Sequence, residues 1–348
     1  MKNIIVTGGS GFIGSNLVNY LVKKRYFVIN LDKLTYASNK YRNKIRNKRN
    51  YKLIRIDINN KNKIFKIIKK YKPKVIFNLA AETHVDRSID RPENFIKSNI
   101  YGTFNLLESL RLLQKKNVRP RLVHISTDEV YGDIKNGKRS NEEYPYQPSS
   151  PYSASKASAD HLVKSYIRTY KINGVISNCC NNYGPYQFPE KLIPKIILNI
   201  FNNKELPIYA KGNNSREWIH VLDHCKALFM LYLKGKPGEN YNVGSGINLK
   251  NIILVKKLLK IWKLKKIQIK KRSKIVFVKD RPGHDFRYAL NSRKMRNKLR
   301  WRSTIKIDKG LSETIMWYQK NKRIFKNRSN LIYEKRLGLK KWLKKELF

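Results

Sequence analysis

The 348-residue sequence predicts an α/β protein built on a doubly wound parallel sheet, with a smaller C-terminal substrate-binding domain. Three observations lead there. Apolar strand-like runs alternate with helix-like segments through the first half. A glycine-rich turn, Thr7-Gly8-Gly9-Ser10-Gly11-Phe12-Ile13-Gly14, lies between the first strand and the first helix. An acidic residue, Asp32, closes the second strand.

Each element has its own signal. Residues 2–6 form an apolar run that ends in glycines, and residues 13–24 carry apolar side chains at helical spacing. Strands are expected at 27–31, 52–56, 75–79, 121–125 and 174–178, with helices at 64–71, 94–113 and 152–170. Beyond Pro185, the prolines 189, 194 and 207 break the chain into short pieces. Residues 215–233 read as an extended piece followed by a helix. A basic helix follows at 249–261, then a strand at 275–278 and helices near 292 and from 309 onward. The expected division is a cofactor domain over 1–185, rejoined by a segment near 215–245, and a mainly substrate-binding domain over 186–348. The basic, aromatic stretch 321–348 reads as a tail folded onto its own domain.

Composition narrows the function classes. Hydrophobic residues make up 41% of the chain, enough for a globular enzyme. No apolar run approaches the roughly 20 residues that span a bilayer. The N-terminal run enters a turn instead of a cleavage site, so a cytoplasmic protein is expected. Cys179, Cys180 and Cys225 lack metal-ligand spacing and read as reduced, buried thiols; no metal site is expected. The net charge of +52 could signal nucleic-acid binding. Lys and Arg are instead spread along the chain, beside abundant Asn, Ile and Tyr. That points to compositional bias and to no specific nucleic-acid partner.

The glycine turn fits G-x-x-G-x-x-G from Gly8 through Gly11 to Gly14. Glycines give backbone freedom and let a pyrophosphate approach closely, and the helix behind them offers free N–H groups. With a strand before it and Asp32 after the next strand, the turn reads as a Rossmann-type dinucleotide fingerprint. Asp32 can accept from ribose hydroxyls and would repel a 2′-phosphate, so NAD is the expected cofactor; Lys33 weakens that preference. Asp57 and Ile58, after the third strand, are placed to meet the adenine. Phe12, Ile13 and Thr35 complete this part of the cofactor set.

Tyr152 and Lys156 form Y-x-x-x-K, which puts both on one helix face. A free phenol has a pKa near 10, too high for a base at neutral pH. Lowering it by about three units takes roughly 4 kcal/mol, which an ammonium and a nicotinium ring can supply in a dry cleft.

Together these motifs resemble the extended short-chain dehydrogenase/reductase family, whose members act on nucleotide sugars. Ser126-Thr127-Asp128-Glu129 further resembles the Thr-Asp-Glu triplet of its dTDP-glucose 4,6-dehydratases. The resemblance implies NAD, a dTDP-glucose substrate, a homodimer formed through helices 94–113 and 152–170, and a lyase reaction. Oxidation at C4 makes the C5 proton acidic, so losing water across C5–C6 needs one base and one acid. Adjacent carboxyls can divide those roles if their environments separate their pKa values. By resemblance Asp128 is the acid, Glu129 the base, and Thr127 bonds the 4-hydroxyl beside Tyr152. Taken alone, a Thr before two acids is also a helix cap. A 4-epimerase, a decarboxylase, another nucleotide's dehydratase, or a basic RNA-binding Rossmann protein are the competing readings.

The resemblance extends through two further segments. In Asn78-Leu79-Ala80-Ala81-Glu82-Thr83-His84, Ala80 and Ala81 would pass the cofactor and Thr83 would face the sugar. His84 receives no role. In 181–192, Asn181 would contact substrate, Asn182 would border the nicotinamide, and Glu190, Lys191 and Leu192 would line the hexose and diphosphate site. Pro207 and Tyr209 would form part of the base pocket, and Arg216 and Arg281 would clamp the diphosphate. His284 and Asn251 complete the implied substrate set.

Overall fold

A computed structural model of the chain describes residues 2–39, 45, 49–265 and 272–322. Seven strands form the central sheet: β1 (Asn3–Thr7), β2 (Phe27–Asp32), β3 (Tyr51–Arg55), β4 (Val75–Asn78), β5 (Arg121–Thr127), β6 (Gly174–Cys179) and, much later in the chain, β10 (Asn240–Val243). Their order is β10-β6-β5-β4-β1-β2-β3, and every pairing is parallel. The order reverses between β1 and β4. In such sheets ligands bind at the carboxyl ends of the strands beside that reversal.

Parallel strands are buried on both faces, and the side-chain alternation shows it. Ile4 and Val6 of β1 join one core, together with α1 (Phe12–Lys23) and the later helix α8 (Val221–Lys234). Ile5 points the other way, into a second core with α2 (Lys61–Tyr71) and two long helices. One of these is α6 (Pro151–Tyr170). The other opens as α4 (Glu93–Phe95), passes through a π-helical stretch Ile96–Tyr101, and continues as α5 (Gly102–Gln114). A short helix, α3 (Val85–Asp90), precedes them.

The π-helical stretch corrects the single regular helix expected over 94–113. Its cause is visible in the packing. Asn99 turns inward, accepts from the Glu82 N–H at 2.9 Å and donates to the Glu82 carbonyl and to Ser155 Oγ. Gly102 follows at a point where a Cβ would stand 2.4 Å from Ile58.

A third core holds the remaining elements: α7 (Leu192–Phe201), β8 (Leu206–Tyr209), α9 (Asn251–Leu264) and α11 (Ile307–Lys320). β7 (Asn181–Tyr183), β9 (Ser215–His220) and β11 (Asn248–Lys250) make a small sheet, and β8 pairs with β12 (Ile275–Val278). Helix α10 (Arg293–Leu299) packs near β10. The basic stretches at 39–52 and 256–274 lie partly outside the described residues, and so does nearly all of the tail 321–348. All three cysteines are free and buried.

Candidate active site

The glycine turn sits at the carboxyl end of β1. Gly8 has φ +66°, and a Cβ there would press on the Ala80 backbone at 2.8 Å. Gly14 is tighter: its Cβ would meet the Gly8 carbonyl oxygen at 2.2 Å. Gly11 differs, because the nearest atom to its Cβ position is 3.3 Å away. It is the N-cap of α1, has no side-chain cap, and borders an open cleft. Such a helix start, with free N–H groups and no side chain in the way, suits a pyrophosphate.

Across the cleft Asp32 is held by the backbone. Its carboxylate accepts from Ser10 N at 2.8 Å and from Leu34 N at 2.7 Å; the left-handed backbone of Leu34 (φ 63°) makes the latter possible. Lys33 donates to Ser98 Oγ at 3.2 Å and lies within 4 Å of both Asp57 and Glu82. Gly8, Gly11, Phe12, Ile13, Gly14, Asp32, Lys33, Thr35, Ile58, Ala80 and Ala81 all line this one cleft, as do Tyr152, Lys156 and Asn182. Asp57 does not line it and stands behind Lys33.

The cleft ends at the catalytic candidates. Thr127 is the last residue of β5, and the chain then turns through the 3₁₀ segment Asp128–Tyr131. Thr127 Oγ1 accepts from Glu129 N and donates to Asp128 Oδ1, both at 3.3 Å. Thr127 therefore caps the 3₁₀ segment, and both carboxyl-bearing residues border the cleft. Asp128 is 2% exposed, and burial first, then the neighbouring Glu129 and Glu217, hold its carboxyl well above the usual range. Glu129 is half-buried and faces both this cleft and the next.

Tyr152 enters at the first turn of α6, after a Ser150 capping box, and packs edge-on against Phe95. Burial, followed by Glu129, keeps its phenol high, while Thr127 pulls the other way. Lys156 donates to the Ile125 carbonyl at 2.7 Å. Its ammonium is destabilised by burial and supported by Asp160.

A second cavity adjoins the first through Glu129, Asn181, Asn182, Gln187, Glu190 and Lys191. Leu192, Pro207, Tyr209, Arg216, Asn251, Arg281 and His284 line it. Thr83 lies on the first cleft, and its carbonyl accepts from Lys191 Nζ at 2.7 Å. Arg216 is tied by the carbonyls of Ser215, Phe286 and Asp285 and stacks on Tyr288 at 4.2 Å. Arg281 lies 3.6 Å from Asp86, which also accepts from the Tyr209 hydroxyl at 3.0 Å. Glu190 pairs with Arg87 at 3.2 Å, and Arg87 stacks on Tyr36 at 3.6 Å.

Sequence reasoning assigned nothing to Asp86, Arg87, Lys195, Glu82 or Ser98. Asp86 and Arg87 follow closely on the segment 78–84 singled out in the sequence, and only their three-dimensional partners give them meaning. Lys195 is a buried lysine on the cavity wall, and burial pushes its pKa down to about 8. His84, without a role in the sequence, lines the same cavity, 3.9 Å from Asp86.

Known proteins share this architecture. A family model described as GDP-mannose 4,6 dehydratase matches residues 5–314. A probable dTDP-glucose 4,6-dehydratase of Sinorhizobium fredii is 44% identical over 344 residues, covering 97% of this chain and 98% of its own. The dTDP-glucose 4,6-dehydratase of Bacillus anthracis, solved in complex with NAD, is 41% identical with a TM-score of 0.82, over 93% of this chain and 98% of that one. That of Streptomyces venezuelae, also with NAD bound, is 38% identical with a TM-score of 0.87, over 93% and 99%. The extent of these matches places the chain in the GDP-mannose 4,6 dehydratase family, among its dTDP-glucose 4,6-dehydratases.

Proposed function

We propose that this protein is an NAD-dependent lyase that dehydrates dTDP-glucose to dTDP-4-keto-6-deoxyglucose. The observation that carries it is the buried Asp128, whose carboxyl burial holds well above the usual range, beside the half-buried Glu129, in the cleft that also receives Tyr152 and Lys156. The names of the relatives, and the NAD in two of the solved structures, support the same substrate and cofactor. The cleft with an open Gly11 helix start and Asp32 opposite suits NAD.

NAD, held by Gly8, Gly11, Gly14, Asp32, Tyr152 and Lys156 along the cleft, would supply the hydride acceptor for C4 and donor for C6 and a positive charge near Tyr152. Tyr152 takes the proton of the 4-hydroxyl, and Thr127 holds that oxygen. Lys156 supplies the fixed positive charge under the phenol. The 4-ketone acidifies C5; Glu129 takes the C5 proton and returns one to C5 once hydride has reached C6, and the proton Tyr152 took from the 4-hydroxyl balances the one Asp128 gives up. Asp128 gives its proton to the departing 6-hydroxyl, which leaves as water. Arg216, Arg281 and Lys191 bind the diphosphate; Tyr209 and Pro207 receive the base; Thr83, Asn181, Glu190, Leu192, Asn251 and His284 line the rest of the substrate path. Residues 1–185, with the stretch near 215–245, hold the cofactor, and the remainder of 186–348 mainly holds the substrate. The enzyme works in the cytoplasm, which its three free thiols support, as a homodimer with no specific nucleic-acid partner.

The test is incubation with the dTDP-, UDP-, CDP- and GDP-forms of glucose, reading the alkaline absorbance of the 4-keto product. Turnover is expected with dTDP-glucose. Tyr152→Phe should abolish it, by roughly a thousandfold or more. Glu129→Gln should transfer hydride and then stall, so reduced-nicotinamide absorbance accumulates on the enzyme. Absence of product from all four sugars would sink the reading.

A further inference from the structure

Beneath the cleft lies a buried polar cluster that the steps above do not use. Strand β5 is covered on both faces, yet it turns His124 and Ser126 toward α6. Both meet Asp160, which has no solvent exposure. Ser126 Oγ donates to Asp160 Oδ2 at 2.6 Å, the Tyr146 hydroxyl donates to the same oxygen at 3.0 Å, and Asn178 Nδ2 approaches at 3.4 Å. His124 Nε2 stands 3.3 Å from Asp160 Oδ1.

The histidine's tautomer follows from its other neighbour. Thr7 Oγ1 donates to Asn78 Oδ1 at 2.7 Å, so it is the Asn78 amide nitrogen that faces His124 Nδ1 at 3.1 Å. Nδ1 therefore accepts, and Nε2 carries the proton toward Asp160. Burial, and then the Lys156 charge, hold His124 neutral. His124 thus stands beside Asp160 at 3.3 Å without a well-aligned hydrogen bond and without a charge. The charges facing the carboxylate from its own helix are Lys156, one turn back, and the half-buried Lys164, whose ammonium rests over the Tyr146 ring at 4.8 Å. From β6 Cys179 faces Lys156, and from the 3₁₀ segment Tyr131 faces Asp160. Tyr152, Lys156 and Asp160 stand at i, i+4 and i+8 on α6, all buried.

We propose that Asp160 is a positioning residue for this reaction: it is the fixed counter-charge that keeps the Lys156 ammonium charged beneath Tyr152, and Ser126 and Tyr146 are the donors that hold it in place. The proposal rests on the reading of Tyr152 and Lys156 as the proton-transfer pair. A lysine this deeply buried sheds its proton readily unless an anion opposes burial. The sequence of groups also ties the catalytic helix to the cofactor turn. It runs from Asp160 through His124 and Asn78 to Thr7, whose hydroxyl accepts from Ala80 N at 3.1 Å.

The test is the pH dependence of kcat/KM for dTDP-glucose in the NAD-loaded enzyme. Lys156 supports the phenolate only while protonated, so its deprotonation contributes an alkaline limb. In Asp160→Asn burial acts without its main opponent, and that limb should move down by about one pH unit or more. At the alkaline end the variant should lose roughly tenfold relative to its own optimum. Ser126→Ala, which removes a donor and keeps the charge, should leave the limb in place. A lower rate in Asp160→Asn with an unmoved limb would show a merely structural residue, and equal displacement in both variants would also overturn the proposal. Unfolding midpoints supply a second measurement. Lys156→Met and Asp160→Asn each strand a partner, so the double variant should be more stable than additivity predicts. If Asp160→Asn does not fold alone, a folded Asp160→Asn/Lys156→Met protein supports the pairing, and a double variant that is equally unfolded overturns it. This second measurement does not depend on turnover. An enzyme inert toward dTDP-glucose would therefore defeat the reading above without deciding this one.

Discussion

Gly11 and Gly14 stand three residues apart in one motif and are glycine for different reasons. At Gly14 the protein itself leaves no room, since a Cβ would sit 2.2 Å from the Gly8 carbonyl oxygen. At Gly11 a Cβ would make one tight contact, 3.3 Å from the Gly8 carbonyl oxygen, that a shift of a few tenths of an ångström relieves, and the backbone angles suit any residue. Gly14→Ala should therefore lower stability by about 2–4 kcal/mol, through displacement of the turn. Gly11→Ala should melt within a few degrees of the parent and bind NAD about tenfold or more weakly. Thermal unfolding and calorimetric titration with NAD separate the two. Unchanged NAD affinity in Gly11→Ala would mean that the open space belongs to no phosphate. The spacing of the glycines was legible in the sequence, but the division of labour between them was not, because it depends on how closely the folded turn brings the Gly8 carbonyl to each of them. The same holds for ion pairs. Glu190 stood out in the sequence, yet its partner Arg87 lies 103 residues earlier and is brought to it only by the packed fold.

At the scale of elements, periodicity found most of the long pieces and missed several short ones. Strands β1, β2, β3, β5 and β6 of the large sheet and helices α1, α2, α6, α8 and α9 are long enough to repeat a pattern. β7, β8, β10 and β11 have three or four residues each, too few for alternation to register, and their pairing is set by neighbours. The π-helical stretch before α5 was invisible because its cause, the inward Asn99, is tertiary. One contact between helices is open to direct measurement. Glu108 on α5 accepts two hydrogen bonds from Arg111 at 2.8 and 2.9 Å and one from Tyr166 of α6 at 2.8 Å, with Lys61 of α2 at 3.8 Å. The Arg111 bonds, foremost, bring its carboxyl from 4.5 to about 2, with Tyr166 adding to them against the opposing effect of burial. A depressed carboxyl stabilises the fold above its unfolded-state pKa and loses that contribution as pH falls through its folded value. Glu108→Gln should thus cost about 1–2 kcal/mol near neutrality, a figure discounted for the solvent access of its partners. The difference from the parent should shrink from about pH 4.5 down to about 2. Denaturant unfolding at several pH values checks it, and a difference constant from pH 7 to pH 3 would contradict the assignment.

The whole molecule sets two large effects against each other. Helices α5 and α6 belong to the second core, but the helical run that leads into α5 leaves Ile96 and Tyr101 exposed, and Tyr170 at the end of α6 is exposed too. Tyr101 is 60% exposed in the π-helical stretch, where a large ring has no packing reason to face water. These are the helices proposed to pair two protomers about a two-fold axis, and exposed aromatics are the kind of anchor such an interface uses. Against association stands the net charge of +52 on each chain. Like charges spread over two approaching surfaces repel over roughly 10 Å at 0.1 M salt and over about 30 Å at 0.01 M. Apolar burial at the interface is not screened, whereas the repulsion is. Dimerisation should therefore strengthen with salt, by roughly tenfold or more in Kd between about 0.03 and 0.3 M, the opposite of an interface held by attraction between charges. Tyr101→Asp should weaken it at every salt concentration. Sedimentation equilibrium at micromolar protein measures both effects. A monomer across the whole salt range would remove the dimer from this account, and a dimer that dissociates as salt rises would mean that complementary charge pairs, not the apolar face of these helices, hold the protomers together.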